Sequence, residues 1–154
     1  MHDHDCHPAS ANVSPASSQP GETTAAYLSR VLSEVCFGSE AGFPLDATLD
    51  RYFSPDFRQC VDGVSLSRAE FAQHIRLLRQ RLRSGRIEVI EALRDGRRIA
   101  DRHTVHAWRH DGGEVRAEVL LFGELAADGR ICRVDEVTRL LAGAPGDADL
   151  GRAH

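Results

Sequence analysis

Residues 97–141 read RRIADRHTVHAWRHDGGEVRAEVLLFGELAADGRICRVDEVTRLL, and this stretch decides the fold. It divides into three runs: Arg98–Trp108, Glu114–Leu125 and Arg130–Leu141. Asp111-Gly112-Gly113 separates the first two and Asp128-Gly129 the last two. Asp-Gly between runs rich in Val, Ile and Leu is a strong hairpin signal. Each run holds about a dozen residues, roughly twice the usual strand length. Antiparallel strands this long are expected to curl, and a curled sheet has a concave side able to hold a ligand.

Side chains alternate across a strand, so each strand offers two faces. A three-residue loop at Asp111-Gly112-Gly113 is expected to set Trp108 opposite Arg116, His106 opposite Glu118, Thr104 opposite Leu120 and Arg102 opposite Phe122. That face mixes cations, carboxylate, imidazole and aromatic rings. The other carries Val105, Ala107, Val115, Ala117, Val119 and Leu121, with His103 also on it. Both faces carry much that avoids solvent. One is expected to take helices and a pocket, the other a second subunit. The candidate pocket residues are read on the mixed face.

The 154 residues make one domain, with hydrophobic and charged fractions of 42% and 27% that are ordinary for a globular chain. The net charge of −4 disfavours nucleic acid as a partner. No apolar run reaches the ~18 residues of a membrane span, and no apolar N-terminal segment marks a secretory signal. A cytoplasmic protein without a membrane partner is the resulting expectation. All 19 basic residues are Arg, which removes Schiff-base and lysine-base chemistry. Cys6, Cys36, Cys60 and Cys132 lack CxxC spacing and are expected as reduced thiols, three of them packed as small hydrophobes. Nucleotide-loop and HExxH motifs are absent, and neither a cofactor nor a metal is expected. His2, His4, Cys6 and His7 make a His-rich start whose metal affinity is read as incidental.

Along the chain, 1–22 reads as a disordered tail, 23–142 as the domain and 143–154 as a flexible tail. Thr23 or Thr24 caps a helix reaching Phe37, with Tyr27, Leu28, Val31 and Val35 on one face. A short helix spans Leu45 to Tyr52. Ser54-Pro55-Asp56 reads as a turn, and Phe57 to Val61 as a short strand ended by Asp62-Gly63. Ser67 and Glu70 form a capping box for a third helix, Arg68 to Arg83. Arg86 to Leu93 alternates as a further strand. Helices first and then a run of strands give an α+β fold: a cone-shaped, curved antiparallel sheet around a pocket, with three N-terminal helices on one side.

Three segments carry a family resemblance: RYFSPDFRQCVDG at 51–63, the helix that follows at Ser67–Arg83, and DGRICRVDE at 128–136. Together they resemble the SnoaL-like branch of the nuclear transport factor 2 superfamily over Thr24 to Leu141. The resemblance implies a cone-shaped, cystatin-like fold with a pocket, commonly dimeric through the sheet. Members include polyketide cyclases, ketosteroid isomerases and dehydratases, so the fold alone does not fix the activity. In cyclase-like members an acidic residue late in the last strand moves the proton; its match is Glu136. The His that often partners it falls at Phe122, and His106 stands on the same expected face.

From the residues, Glu136 in an apolar pocket would have its pKa raised and serve as a base toward a proton alpha to a carbonyl. Its structural alternative is an ion pair with Arg102, Arg116 or Arg133. His106 is a candidate proton or oxyanion partner, with a hydrogen-bonded structural role as its alternative. Arg102 either orients an anionic or carbonyl oxygen or neutralises Glu118 or Glu136. Tyr27, Tyr52, Phe57, Gln59, His74, Trp108, Glu118 and Phe122 are candidate ligand-binding residues, the aromatic ones counting first as core. Two functions stay open. One is a cofactor-independent isomerase, cyclase or dehydratase acting on a small apolar carbonyl compound. The other is a non-catalytic module that binds a small ligand or dimerises through the outer face of the sheet.

Overall fold

The computed structural model describes residues 19–143. Of the tails expected at 1–22 and 143–154, residues 1–18, with His2, His4, Cys6 and His7, and 144–154 lie outside the described residues. The elements run α1 (Thr24–Phe37), α2 (Leu45–Tyr52), β1 (Phe53–Val61), β2 (Val64–Ser67), α3 (Arg68–Arg81), β3 (Leu82–Asp95), β4 (Arg98–Arg109), β5 (Glu114–Leu125) and β6 (Ile131–Ala142). Ser54-Pro55-Asp56 lies inside β1 rather than forming a turn, and β2 is an addition to the expected strands.

The six strands form one sheet in the order β2-β1-β6-β5-β4-β3. The β3–β4–β5–β6 meander is antiparallel throughout, as is β1–β2, while β1 runs parallel to β6. That parallel pairing needs the long crossover supplied by α3 and the meander. It sets Gln59 and Val61 beside Val134 and Glu136.

The helices begin where the side chains supply caps. Thr23 Oγ1 accepts from Ala26 N at 3.1 Å, and Ser67 and Glu70 close the capping box of α3. Such caps contribute about 1 kcal/mol each. Tyr27, Leu28, Val31 and Val35 bury one stripe of α1, joined in the core by Leu45, Leu49, Phe57 and Phe71. Arg79 ties α3 to the end of α1, donating to the backbone carbonyls of Glu34 at 3.0 Å, Val35 at 3.0 Å and Phe43 at 2.9 Å. Cys36 and Cys60 are free thiols, but Cys132 is disulfide-bonded, which corrects the expectation of four reduced thiols. Among the described residues no helix is long and apolar enough to cross a membrane.

Two expectations about the sheet need correction. The β4–β5 loop is His110-Asp111-Gly112: Arg109 N donates to Gly113 O at 2.8 Å, and Gly112 takes the positive φ of 87°. Asp111 Oδ1 accepts from Gly113 N at 2.8 Å and pins this loop one residue early. Trp108 therefore pairs with Glu114, His106 with Arg116, Thr104 with Glu118 and Arg102 with Leu120, each two positions from the expected register. A shift of two preserves which side chains share a face.

The larger correction is which face the helices cover. They pack on the face carrying Val105, Ala107, Val115, Ala117, Val119 and Leu121, and the mixed face is left to solvent. Burying the apolar face removes hydrocarbon from water. Burying the other would desolvate Arg102, Arg116, Glu118 and Arg139.

Candidate functional site

Between the apolar face of the meander and helices α1 and α3 lies a cavity of about 140 Å³. A cavity of about 150 Å³ lined by aliphatic side chains holds a benzene ring, so this one has room for a ring-sized molecule. Leu28, Val35, Phe53, Ile75, Ile99 and Leu121 typify its wall. Besides Cys36, five polar side chains interrupt it: Gln59, His74, His103, Glu136 and Thr138. No Arg lines it.

Glu136 reaches the cavity because β6 alternates Val134, Glu136, Thr138 and Leu140 onto the covered face. It pairs across β5 with Leu121, which pairs in turn with Asp101 on β4. Glu136 is half-buried by its solvent exposure and lines the cavity. Burial pushes its pKa up from 4.5 to about 7. The His103 ring and a hydrogen bond from Gln59 oppose that rise, while the charges of Asp101 and Asp62 add to it. A carboxyl poised near neutrality is able both to take and to return a proton.

His103 and Asp101 form a buried pair. His103 Nδ1 lies 2.8 Å from Asp101 Oδ1 and 3.1 Å from Oδ2, with the two residues 3% and 7% exposed. Bonding at Nδ1 orients the ring and leaves Nε2 for another partner. Gln59 is buried, and its Oε1 has no hydrogen-bond partner among the described residues. The Cys36 thiol is pushed up to about 12, first by burial and then by the charge of Glu136, so it is not a poised nucleophile. Among the described residues no cluster of His, Cys, Asp and Glu has the makings of a metal site.

The structure sorts the sequence candidates. Glu136, Phe57, Gln59 and His74 line the cavity together. Arg102, His106, Trp108, Glu118 and Phe122 do not; they lie on the opposite face of the sheet. Arg102 pairs with Glu91 at 3.2 Å and Glu118 at 3.8 Å, and Glu118 also meets Arg139 at 3.2 Å. His106 stacks on Trp108 with ring centroids 4.1 Å apart. Its Nε2 lies 2.7 Å from Glu114, off the line of a hydrogen bond. Tyr27 and Tyr52 are core residues outside the cavity wall. The Tyr52 hydroxyl accepts from Arg30 at 2.8 Å and donates to Glu34, and burial raises its pKa. Sequence reading missed His103 and Asp101. Their signal was the i, i+2 spacing on the face that also carries the small apolar residues.

A protein of Schizosaccharomyces pombe with no characterised function is 36% identical over 104 residues, covering 68% of this chain and 79% of that one. No family model matches the chain. Among solved structures, a candidate hydroxylase of Streptomyces galilaeus superposes with a TM-score of 0.61 at 17% identity, covering 83% of each chain. A nuclear transport factor 2-like protein of unknown function from an Exiguobacterium species gives 0.60 at 16% identity, over 71% of this chain and 96% of that one. IdmH, a candidate polyketide cyclase of Streptomyces antibioticus, gives 0.60 at 13% identity, over 75% and 92%.

Proposed function

We propose that the chain, which has the nuclear transport factor 2-like fold, belongs to its SnoaL-like branch and that its pocket moves a proton on a small, apolar carbonyl compound without a cofactor. One observation carries the reading: Glu136 lines an apolar cavity whose wall also holds the Asp101-anchored His103 and, among the described residues, contains no Arg. Glu136 as carboxylate takes the proton alpha to the carbonyl. The C–H electron pair becomes the carbon–carbon double bond of an enolate, and the charge moves to oxygen. His103, held by Asp101, donates a hydrogen bond or a proton to that oxygen. Glu136 returns its proton to the same carbon, to another carbon, to the alkoxide of a newly closed ring or to a departing hydroxyl, and His103 takes back any proton it gave. Exchange, isomerisation, cyclisation or dehydration follows according to the substrate. His103 takes the role first assigned to His106, and Arg102 has none, because both side chains lie across the sheet.

The test is deuterium uptake by β-tetralone, a neutral ring ketone, in heavy water followed by proton NMR. Wild type is expected to accelerate uptake, and Glu136→Gln to lose roughly two to four orders of magnitude of that acceleration, the usual contribution of a positioned acid–base group. Equal rates in the two proteins would overturn the catalytic reading.

A second reading, assembly through the outer face of the sheet, is favoured by one further observation. Leu93, Leu120, Phe122 and Val137 are exposed by 74, 49, 68 and 62%. Leu120 and Val137 are direct neighbours, and Phe122 and Leu93 flank Ala100 in the adjoining row. Such a patch on a sheet invites a partner, here a second copy of the chain. Light scattering is expected to give a dimer for wild type and a monomer for Phe122→Arg. A monomeric wild type would remove this reading and leave the pocket untouched.

A further inference from the structure

Asp62 is the only non-glycine residue with a positive φ among the described residues, at 49°. With Gly63, at 83°, it makes the two-residue loop between β1 and β2. Both signs are those of a primed hairpin turn, which Asn-Gly or Gly-Gly would make equally well. The turn therefore does not explain the carboxylate.

What the carboxylate touches does. The parallel β1–β6 ladder ends at Val61 opposite Glu136. One residue on, Asp62 N donates to Glu136 O at 3.0 Å. Thr138 N then donates to Asp62 Oδ1 at 2.8 Å, so a side chain replaces the next bond of the ladder. β6 is thus held on its β1 side at both residues flanking Val137, and on its other side by β5. We infer that Asp62 is a positioning residue for the pocket, fixing the β6 backbone so that Glu136 and Thr138 keep their side chains in the cavity. The inference rests on the reading of Glu136 as the proton-transfer group.

Asp62 also acts through its charge, which helps hold the Glu136 carboxyl above its ordinary range. The other polar groups on that wall come from five elements: Cys36 on α1, Gln59 on β1, His74 on α3, His103 on β4 and Thr138 on β6, with Asp101 behind His103. The two actions of Asp62 are separable by substitution. Asp62→Asn keeps an oxygen for Thr138 and tolerates the turn, but removes the charge. Asp62→Gly keeps the turn and removes the side-chain bond.

The experiment uses the full chain and three readouts: hydrogen exchange at the Thr138 amide, carbon NMR titration of the Glu136 carboxyl, and kcat and KM for β-tetralone exchange. In Asp62→Gly the Thr138 amide is expected to lose protection. Its kcat is expected to fall about tenfold to a hundredfold with KM little changed, the penalty of a misplaced catalytic group. In Asp62→Asn, Thr138 stays protected, most of kcat survives and the Glu136 midpoint moves down. Unchanged Thr138 protection in the Gly variant, or an unchanged Glu136 midpoint in the Asn variant, overturns the inference. If wild type does not exchange β-tetralone, the catalytic reading fails, while amide protection and the midpoint still decide the role of Asp62.

Discussion

Replacing Glu136 by Gln is expected to change how stability depends on pH. In the unfolded chain this carboxyl titrates near 4.5, and in the native cavity near 7. Below about pH 4.5 it is protonated in both states and contributes no difference. Between the two values the unfolded chain releases the proton and the native state keeps it, so stability falls as pH rises. Above about 7 both states are ionised, and the native protein carries the full cost of a buried charge. At about 1.4 kcal/mol per pH unit that cost is on the order of 3 kcal/mol. Gln fills the same space, and the Gln59 amide is able to turn and bond it, so the variant should fold. Urea unfolding of both proteins at about pH 4.5 and about pH 8.5 isolates the effect, since titrating groups that do not interact with Glu136 cancel in the difference. The variant should gain roughly 3 kcal/mol on wild type between those conditions. Stability curves that stay parallel across this window would refute the burial argument, whatever the activity of the variant.

Asp101→Asn should leave the fold intact but replace the charged anchor on His103 by a neutral one and lower the Glu136 midpoint, because Asp101 is one of the charges that raise it. β-Tetralone exchange in this variant is expected to slow by about a hundredfold. Arg79→Met should cost about 2–3 kcal/mol in urea unfolding, since it leaves the carbonyls of Glu34, Val35 and Phe43 without this partner. Gly85→Ala should destabilise by about 1–3 kcal/mol, because the new methyl group would stand 2.3 Å from the Phe37 ring on the cavity wall. A thermal melt of this variant equal to wild type would mean that Phe37 swings aside freely.

The order of elements was legible because its signals are local. The capping box at Ser67 and Glu70, the stripe on α1 and the Asp-Gly turns each act within a few residues, and the elements formed where those signals stand. Glu136 was legible through the resemblance at 128–136 together with strand alternation. Which face of the meander meets the helices is not a local property. Alternation assigns His103 and His106 to opposite faces, but only the packing of α1 and α3 decides which face is inside. The density of polar groups on the mixed face suggested a binding site. The same density is what keeps that face in solvent, where Arg102, Glu118 and Arg139 pair in water. Choosing that face placed Arg102, His106, Trp108, Glu118 and Phe122 across the sheet from Glu136 and hid the Asp101–His103 pair. The parallel β1–β6 pairing was equally out of reach, because its residues lie more than seventy positions apart along the chain.

The most direct measurement is a carbon NMR titration of the side-chain carboxyls in wild type and in Glu136→Gln. The account predicts one resonance with a midpoint near 7, present in wild type and missing from the variant. If the Glu136 resonance instead titrates near its ordinary value of 4.5, the carboxyl is not held in an apolar cavity, and the proton-transfer reading falls with it.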